Sequence, residues 1–383
     1  MSNGTTQLQP LPVKKELPVD DWMSWFLEAS EEDVIRAKQQ FIDESLNFKH
    51  PDGQLWPAGG FECRCVVKLQ EAVAGLPALP RDTDGSCPLN VVDGIDIGNY
   101  QASFRTDDRV MVQIASNFHC LENGSPFLSA DCGHLVSNYA MDCTQGPAAA
   151  FGVPAASLLR AHYAFKADGV NPSLWGQSHE RQVNLIADIC GAEPYNFCGD
   201  CVNGKARLKG NERPVTCELI DVVTGRVKVG LHSDAQVVFR RGSSRSTIGV
   251  VSEPQFVDQV CSATLCYGFA DSIYKPPPEQ LSNLTRALLR AAYEGAYLAA
   301  IVRGRRRLLL TLIGGASFRN PHEMILEELN RAHQRFSLHP ASQLEEVQLV
   351  LYEPGSARRY QQALNSDSCQ SMSQRMQQVC HVM

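Results

Sequence analysis

Three stretches of this 383-residue chain carry residues whose type and spacing suit a bound ligand. The first is Thr311–Pro321, TLIGGASFRNP. Gly314 and Gly315 lack a Cβ, so their backbone can take positive φ or pass close to a bound group. An apolar run, Leu308–Leu310, precedes them, and an amphipathic run, His322–Phe336, follows. That order predicts a strand, a glycine turn and a helix. The opening N–H groups of a helix are unpaired and its dipole adds positive potential, which suits a phosphate or pyrophosphate. The same order also describes a tight turn with no ligand. The second stretch is Ser116–Asn117, at the carboxyl end of the apolar run Val110–Ala115. Ligands of open α/β sheets sit outside such ends. A carboxamide donates and accepts at once, which suits a pair of ribose hydroxyls, or it can bond its own turn. The third is Gln145–Gly152, QGPAAAFG, read as a small-residue loop feeding an Ala/Leu-rich helix that begins near Pro154. Asp131 and Asp142 precede it, and Asp271 lies just beyond the apolar run Val257–Tyr267. Such carboxylates read as a general base or ribose contact, or as loop acids and caps.

The 14 cysteines include a CxxC, Cys198 and Cys201, and a CxC, Cys63 and Cys65. Cys190 and Cys217 lie near the CxxC, so a structural zinc is one reading. Ordinary buried or half-buried thiols are the other, and the expectation is no metal and no cofactor. The net charge of −7 argues against a non-specific nucleic-acid binder. The basic cluster Arg303–Arg307 reads as a solvated loop between a helix and a strand. No run approaches the ~18 apolar residues of a membrane span. The first residues lack the apolar core of a signal peptide. A cytoplasmic protein with reduced cysteines is therefore expected. The oligomeric state is not legible.

The elements that must position these residues follow from periodicity. Residues 1–16 read as a flexible tail. Asp20–Phe48 reads as helical, with a cap signal at Ser30–Asp33. Gly53–Val91 reads as a connector with one short helix, so 17–90 forms an N-terminal helical extension and connector. Cys217–Val238 shows strand-like alternation, Gln280–Val302 reads as a helix, and Val347–Tyr352 is the last strand. Residues 365–383 read as a C-terminal tail. Strands alternating with helices predict an α/β fold with a mixed central sheet between helices.

The ordered set of segments resembles the macrodomain, the ADP-ribose-binding fold, including its glycohydrolase-like branch. Gly98–Asn99–Tyr100 is similar to the family's Gly-Asp-Ile segment, which holds adenine; Asn99 stands where the family has an acid. Val112–Asn117 (VQIASN) resembles the strand whose last Asn contacts the distal ribose. Gln145–Gly152 resembles the first phosphate loop, with Gly146 alone standing for a glycine triplet. Leu288–Ala300 resembles the long family helix, and Leu312–Pro321 the second phosphate loop, with Phe318 in the place of the aromatic beside the ribose. Val347–Leu364 resembles the closing strand and helix. The family's double-glutamate signature is not evident. The resemblance spans 91–364, with an insertion at about 171–217.

The resemblance implies a cleft for ADP-ribose lined by Asn99, Tyr100, Gln101, Asn117, Gln145, Gly146, Pro147, Ala148, Gly314, Gly315, Ala316, Ser317, Phe318 and Asn320. It implies a hydrolase that removes ADP-ribose from ADP-ribosylated protein side chains. Asp142 and Asp271, ahead of Asp131, are the candidate catalytic carboxylates. The alternative is a module that reads ADP-ribose without cleaving it. Neither nucleic acid nor a membrane is an expected partner.

Overall fold

The computed structural model describes residues 11–80, 86–125, 127–191, 193–268 and 278–366. A mixed sheet of eight strands forms its centre. In chain order these are β1 (Val13–Pro18), β2 (Gly60–Cys65), β3 (Leu89–Val92), β4 (Val110–Ala115), β5 (Lys228–Arg241), β6 (Thr247–Ser262), β7 (Arg307–Leu310) and β8 (Glu346–Val350). Their order across the sheet is β2-β5-β6-β4-β7-β8-β3, with β1 added to β6. β6, β4, β7, β8 and β3 run parallel to their neighbours within that group. β1, β2 and β5 are antiparallel.

Burial explains the order. β4, β7 and β8 are almost wholly buried. Continuous apolar runs of this kind belong to parallel strands covered on both faces. Val112 and Gln259 pair across β4 and β6 and so share one face, leaving Gln113 on the other. On the first face Gln259 Nε2 donates to Ala149 O at 3.1 Å, beneath the helices Gln145–Phe151 and Pro154–His162. On the second, Gln113 Nε2 donates to Ala292 O at 3.0 Å, in the helix Pro278–Val302. Gly295 of that helix lies so close to β5 that a Cβ there would stand 2.5 Å from Val229 Cγ1. The sheet is therefore sandwiched between helices, as expected. Among the described residues, no helix is long and apolar enough to cross a membrane.

The N-terminal region differs from its reading. Val13–Pro18 is not tail but a strand, in register with β6 from Pro18↔Thr247 to Lys15↔Val250, with a shift before Val13↔Val251. Its exposed Lys14, Lys15 and Glu16 hide an edge strand behind a charged run. Gly60–Cys65 is likewise a sheet edge rather than connector. Asp20–Phe48 holds short helices, Trp22–Leu27, Glu31–Arg36 and Lys38–Phe41, instead of one long one. The cap signal is used: Ser30 Oγ accepts from Asp33 N–H and Asp33 accepts from Ser30 N–H. Trp22, Phe26 and Trp56 pack with Phe151 and Phe239, the last two stacked at 5.2 Å. The extension thus shares a second core with the helix Pro154–His162 and the far end of β5.

Two further readings are corrected. Gln145–Phe151 is a helix, not a loop. Its Gly-Pro pair falls in the first turn, where N–H groups have no intrahelical acceptor and Pro removes nothing. Cys217–Val238 contains the helix Ile220–Arg226 before β5 begins. The insertion is mostly irregular, with one hairpin, Asp200–Val202 against Lys205–Arg207.

Candidate active site

The parallel strands end on one side of the sheet, and a cleft of about 440 Å³ opens there. It is walled by the residues after β4 (Ala115–Asn117), β6 (Ala263, Thr264), β7 (Thr311–Phe318) and β8 (Val350–Glu353). The volume lies in the ordinary range for small-molecule sites, about 300–1,000 Å³.

Asn117 sits in a turn closed by Asn117 N–H to Leu121 O at 3.0 Å and Cys120 N–H to Asn117 O at 2.9 Å. Its Nδ2 donates to Leu121 O at 3.2 Å, to Asn123 O at 3.4 Å and to Asn123 Oδ1. Oδ1 is buried and meets no partner among the described residues. The amide's donors are therefore spent inside the turn and its remaining capacity is that of an acceptor, not the donor-and-acceptor pair the sequence suggests. A hydroxyl fits this oxygen; a phosphate, which lacks a donor when ionised, does not.

The insertion holds this arrangement from behind. Asn123 Nδ2 donates to Leu128 O at 2.9 Å and to Asn203 O at 3.1 Å. Asn203 and Gly204 form the hairpin tip with φ of 45° and 69°. Phe118 N–H donates to Gly204 O at 2.8 Å. A Cβ on Gly204 would lie 2.7 Å from Asn117 Cβ, so only glycine lets the tip approach.

Glu122 was not among the sequence candidates, and it is the carboxyl that faces the cleft from within. It is 9% exposed. Its N–H donates to the Tyr139 hydroxyl at 2.9 Å. Gly146 makes room for it: a Cβ there would stand 2.5 Å from Glu122 Oε2 and 2.2 Å from Ala115 O. Burial first, then the charges of Cys261 and Asp142, push the Glu122 carboxyl well above its ordinary range; Arg160 opposes them. Burial thus favours the protonated form, the form that can act as an acid. The available signal was position: Glu122 is the only acid between Asn117 and Asp131.

The second wall is the glycine turn. Gly314 has φ of 71°, and a Cβ would lie 2.4 Å from Thr264 Cγ2 and 2.5 Å from Asn320 Nδ2. Asn320 Nδ2 donates to Leu265 O at 2.9 Å and Gly314 O at 3.2 Å, stapling the turn from outside the cleft. Tyr293 OH donates to Thr311 O at 3.0 Å and accepts from Ile313 N–H at 3.2 Å. His322 Nε2–H donates to Gly315 O at 2.7 Å while Tyr360 OH donates to Nδ1 at 2.7 Å, so a neutral ring satisfies both. Within the turn, Ile313, Gly315, Arg319 and Asn320 spend their N–H groups on backbone carbonyls. Those of Ala316, Ser317 and Phe318 meet no acceptor among the described residues. Consecutive free N–H groups of this kind favour an anion.

Of the sequence candidates, Asn117, Asp142, Gln145, Gly146, Pro147, Gly314, Gly315, Ala316, Ser317 and Phe318 line this cleft. Asp142 sits at its rim, where its Oδ1 accepts from Thr144 N–H at 2.8 Å and Thr144 Oγ1 at 2.7 Å. The remaining candidates lie elsewhere. Asn99 Oδ1 accepts from Arg241 N–H at 2.7 Å. Tyr100 OH donates to Gln348 Oε1 at 2.7 Å, and buried Gln101 donates to Ala149 O at 2.7 Å. Ala148 is buried within its helix. Asp131 is exposed and accepts from Ser129 Oγ. Asp271 lies outside the described residues. Cys190, Cys198 and Cys201 are neighbours, with Cys217 exposed beside Asn283. Among the described residues, no group of three or more His, Cys, Asp or Glu could hold a metal ion.

No protein-family model and no curated protein matches this chain. Solved structures do. Poly(ADP-ribose) glycohydrolase from Thermomonospora curvata is 13% identical, with 87% of this chain and 97% of that chain covered and a TM-score of 0.42. The same enzyme bound to the inhibitor ADP-HPD gives 13% identity over the same shares and a TM-score of 0.40. The Deinococcus radiodurans enzyme in complex with ADP-ribose is 13% identical, with 82% of this chain and 95% of that chain covered and a TM-score of 0.41.

Proposed function

We propose that this protein binds ADP-ribose in the cleft and hydrolyses the bond joining its distal ribose to a protein side chain. The observation that carries the reading is a single cleft lined by the buried Glu122 carboxyl, Asn117 and a glycine turn with free N–H groups. In this reading the pyrophosphate rests on the N–H groups of Ala316–Phe318. A ribose hydroxyl donates to Asn117 Oδ1, which fixes the sugar against Glu122. Glu122 gives its proton to the leaving oxygen or nitrogen as the glycosidic bond breaks. The ribose passes through an oxocarbenium-like state, and water adds to the anomeric carbon, returning a proton to the Glu122 carboxylate. Asp142, tied on one oxygen to Thr144, guides water at the rim.

Calorimetry with ADP-ribose followed by a release assay on ADP-ribosylated protein tests this. Saturable binding with release of free ADP-ribose supports it. Binding without release from any tested linkage leaves a module that reads ADP-ribose, and absence of binding removes both readings.

A further inference from the structure

Beneath the Asn117–Glu122 turn, three cysteines from distant parts of the chain meet around one glycine. Gly230 of β5 lies directly opposite Cys63 on β2 and opposite Cys261 on β6. Directly opposed residues share a face, and strands lie about 4.8 Å apart, so Cys63 and Cys261 flank Gly230 some 10 Å from one another. That exceeds the reach of a disulfide. Cys120 fills the space between them. Its Sγ lies 2.4 Å from where a Gly230 Cβ would stand, and Cys261 Cβ lies 3.3 Å from the same point. The Cys120 thiol neighbours both other thiols. Cys120 also has φ of 63°, in the turn whose ends are Asn117 and Glu122. Cys63 is half-buried on a sheet edge, while Cys120 and Cys261 are buried.

From this geometry we infer that Cys63 and Cys120 form a peroxide-responsive dithiol whose disulfide switches off the cleft above it. Cys63, the half-buried member, reduces hydrogen peroxide and becomes a sulfenic acid with loss of one water. Cys120 attacks that sulfur, the S–S bond forms, and a second water leaves, so two thiols and one peroxide give one disulfide and two waters. The Cys120 proton leaves with the sulfenic hydroxyl as that second water. An S–S bond of about 2.05 Å in place of a non-bonded sulfur contact pulls Cys120 toward β2. Asn117 and Glu122 move with it. A displacement near 1 Å is expected to cost about 10²-fold in turnover. That effect on turnover rests on the hydrolase reading; the disulfide itself does not.

The test treats the full chain with graded hydrogen peroxide, maps cross-linked peptides by non-reducing mass spectrometry, and measures ADP-ribose binding and release before and after dithiothreitol. A Cys63–Cys120 linked peptide is expected, absent in Cys63→Ser and Cys63→Ala, with function lost in step and restored by reduction. Both variants should keep full activity under peroxide. Cross-linking of Cys63 to Cys65 instead, no linkage at full thiol oxidation, or a linked protein with unchanged binding and release would overturn the inference. The linkage is read by mass whether or not the reduced protein releases ADP-ribose, so failure of the hydrolase reading and failure of this one are told apart.

Discussion

Glu122→Gln removes one proton from the site and almost nothing else. The side chain keeps its length and shape, so the space provided by Gly146 remains filled. Loss of a positioned acid costs about 10²–10⁴ in rate. At 1.36 kcal/mol per decade that is roughly 2.7–5.4 kcal/mol of barrier. Affinity for ADP-ribose should stay within about threefold, because an uncharged amide replaces an uncharged acid. Single-turnover release of ADP-ribose from modified protein, read from pH 5 to pH 9, is the assay. Wild-type turnover should fall on the alkaline side as Glu122 loses its proton, and the variant should lack that limb.

Stability supplies an independent check on the same group. The folded carboxyl titrates above its unfolded counterpart, so the native state holds the proton more tightly. Stability is then greatest below the ordinary carboxylate range and declines as pH rises toward the folded pKa, by about 1.4 kcal/mol for each unit separating the two states. Gln has no proton to lose. The variant should therefore be at least as stable as wild type at pH 7–8, with the difference closing toward pH 4. Turnover within about threefold of wild type, with binding intact, would refute the assignment of Glu122 as the acid.

Asp142→Ala should leave turnover within about tenfold, since one oxygen is committed to Thr144, and cost about 1 kcal/mol in urea unfolding through the lost turn hydrogen bonds to Thr144. Gly314→Ala should cost about 2–4 kcal/mol, combining positive φ with overlap on Thr264 and Asn320, and a denaturant midpoint measures it. Glu31 is held below its ordinary range: burial works against it, but the His162 hydrogen bond and charge and the Ser137 and Val136 N–H groups prevail. That stability is present above the unfolded pKa and is lost as pH falls through the folded one. Glu31→Ala, which strands His162 in the core, should cost about 3–5 kcal/mol and flatten the acid limb of a thermal-unfolding series.

The parts legible in the sequence are those whose cause is local. Gly314–Gly315 between an apolar run and an amphipathic one could be read as a strand–turn–helix because strand burial and helix periodicity each leave a pattern within a few residues. Asn117 was legible for the same reason, as a polar residue ending a doubly buried strand. Asp131 and the Asn99–Gln101 segment carried suitable chemistry too. The partners of that segment, Arg241, Gln348 and Gln259, come from strands more than 140 residues away and turn all three side chains, Asn99, Tyr100 and Gln101, into struts.

Glu122 shows the converse. Nothing adjacent to it in the chain marks it as buried or protonated. Gly146 gives it space, Tyr139 takes its N–H, Cys261 and Asp142 repel its charge, and the Asn203–Gly204 tip closes the turn that carries it. The sequence by itself determined that a mixed α/β sheet would present glycine and amide groups at its strand ends, because hydrophobic period and turn chemistry act over short distances. Only the tertiary structure decided which acid faces the cleft and in what charge state, because desolvation and charge act between segments that only folding brings together.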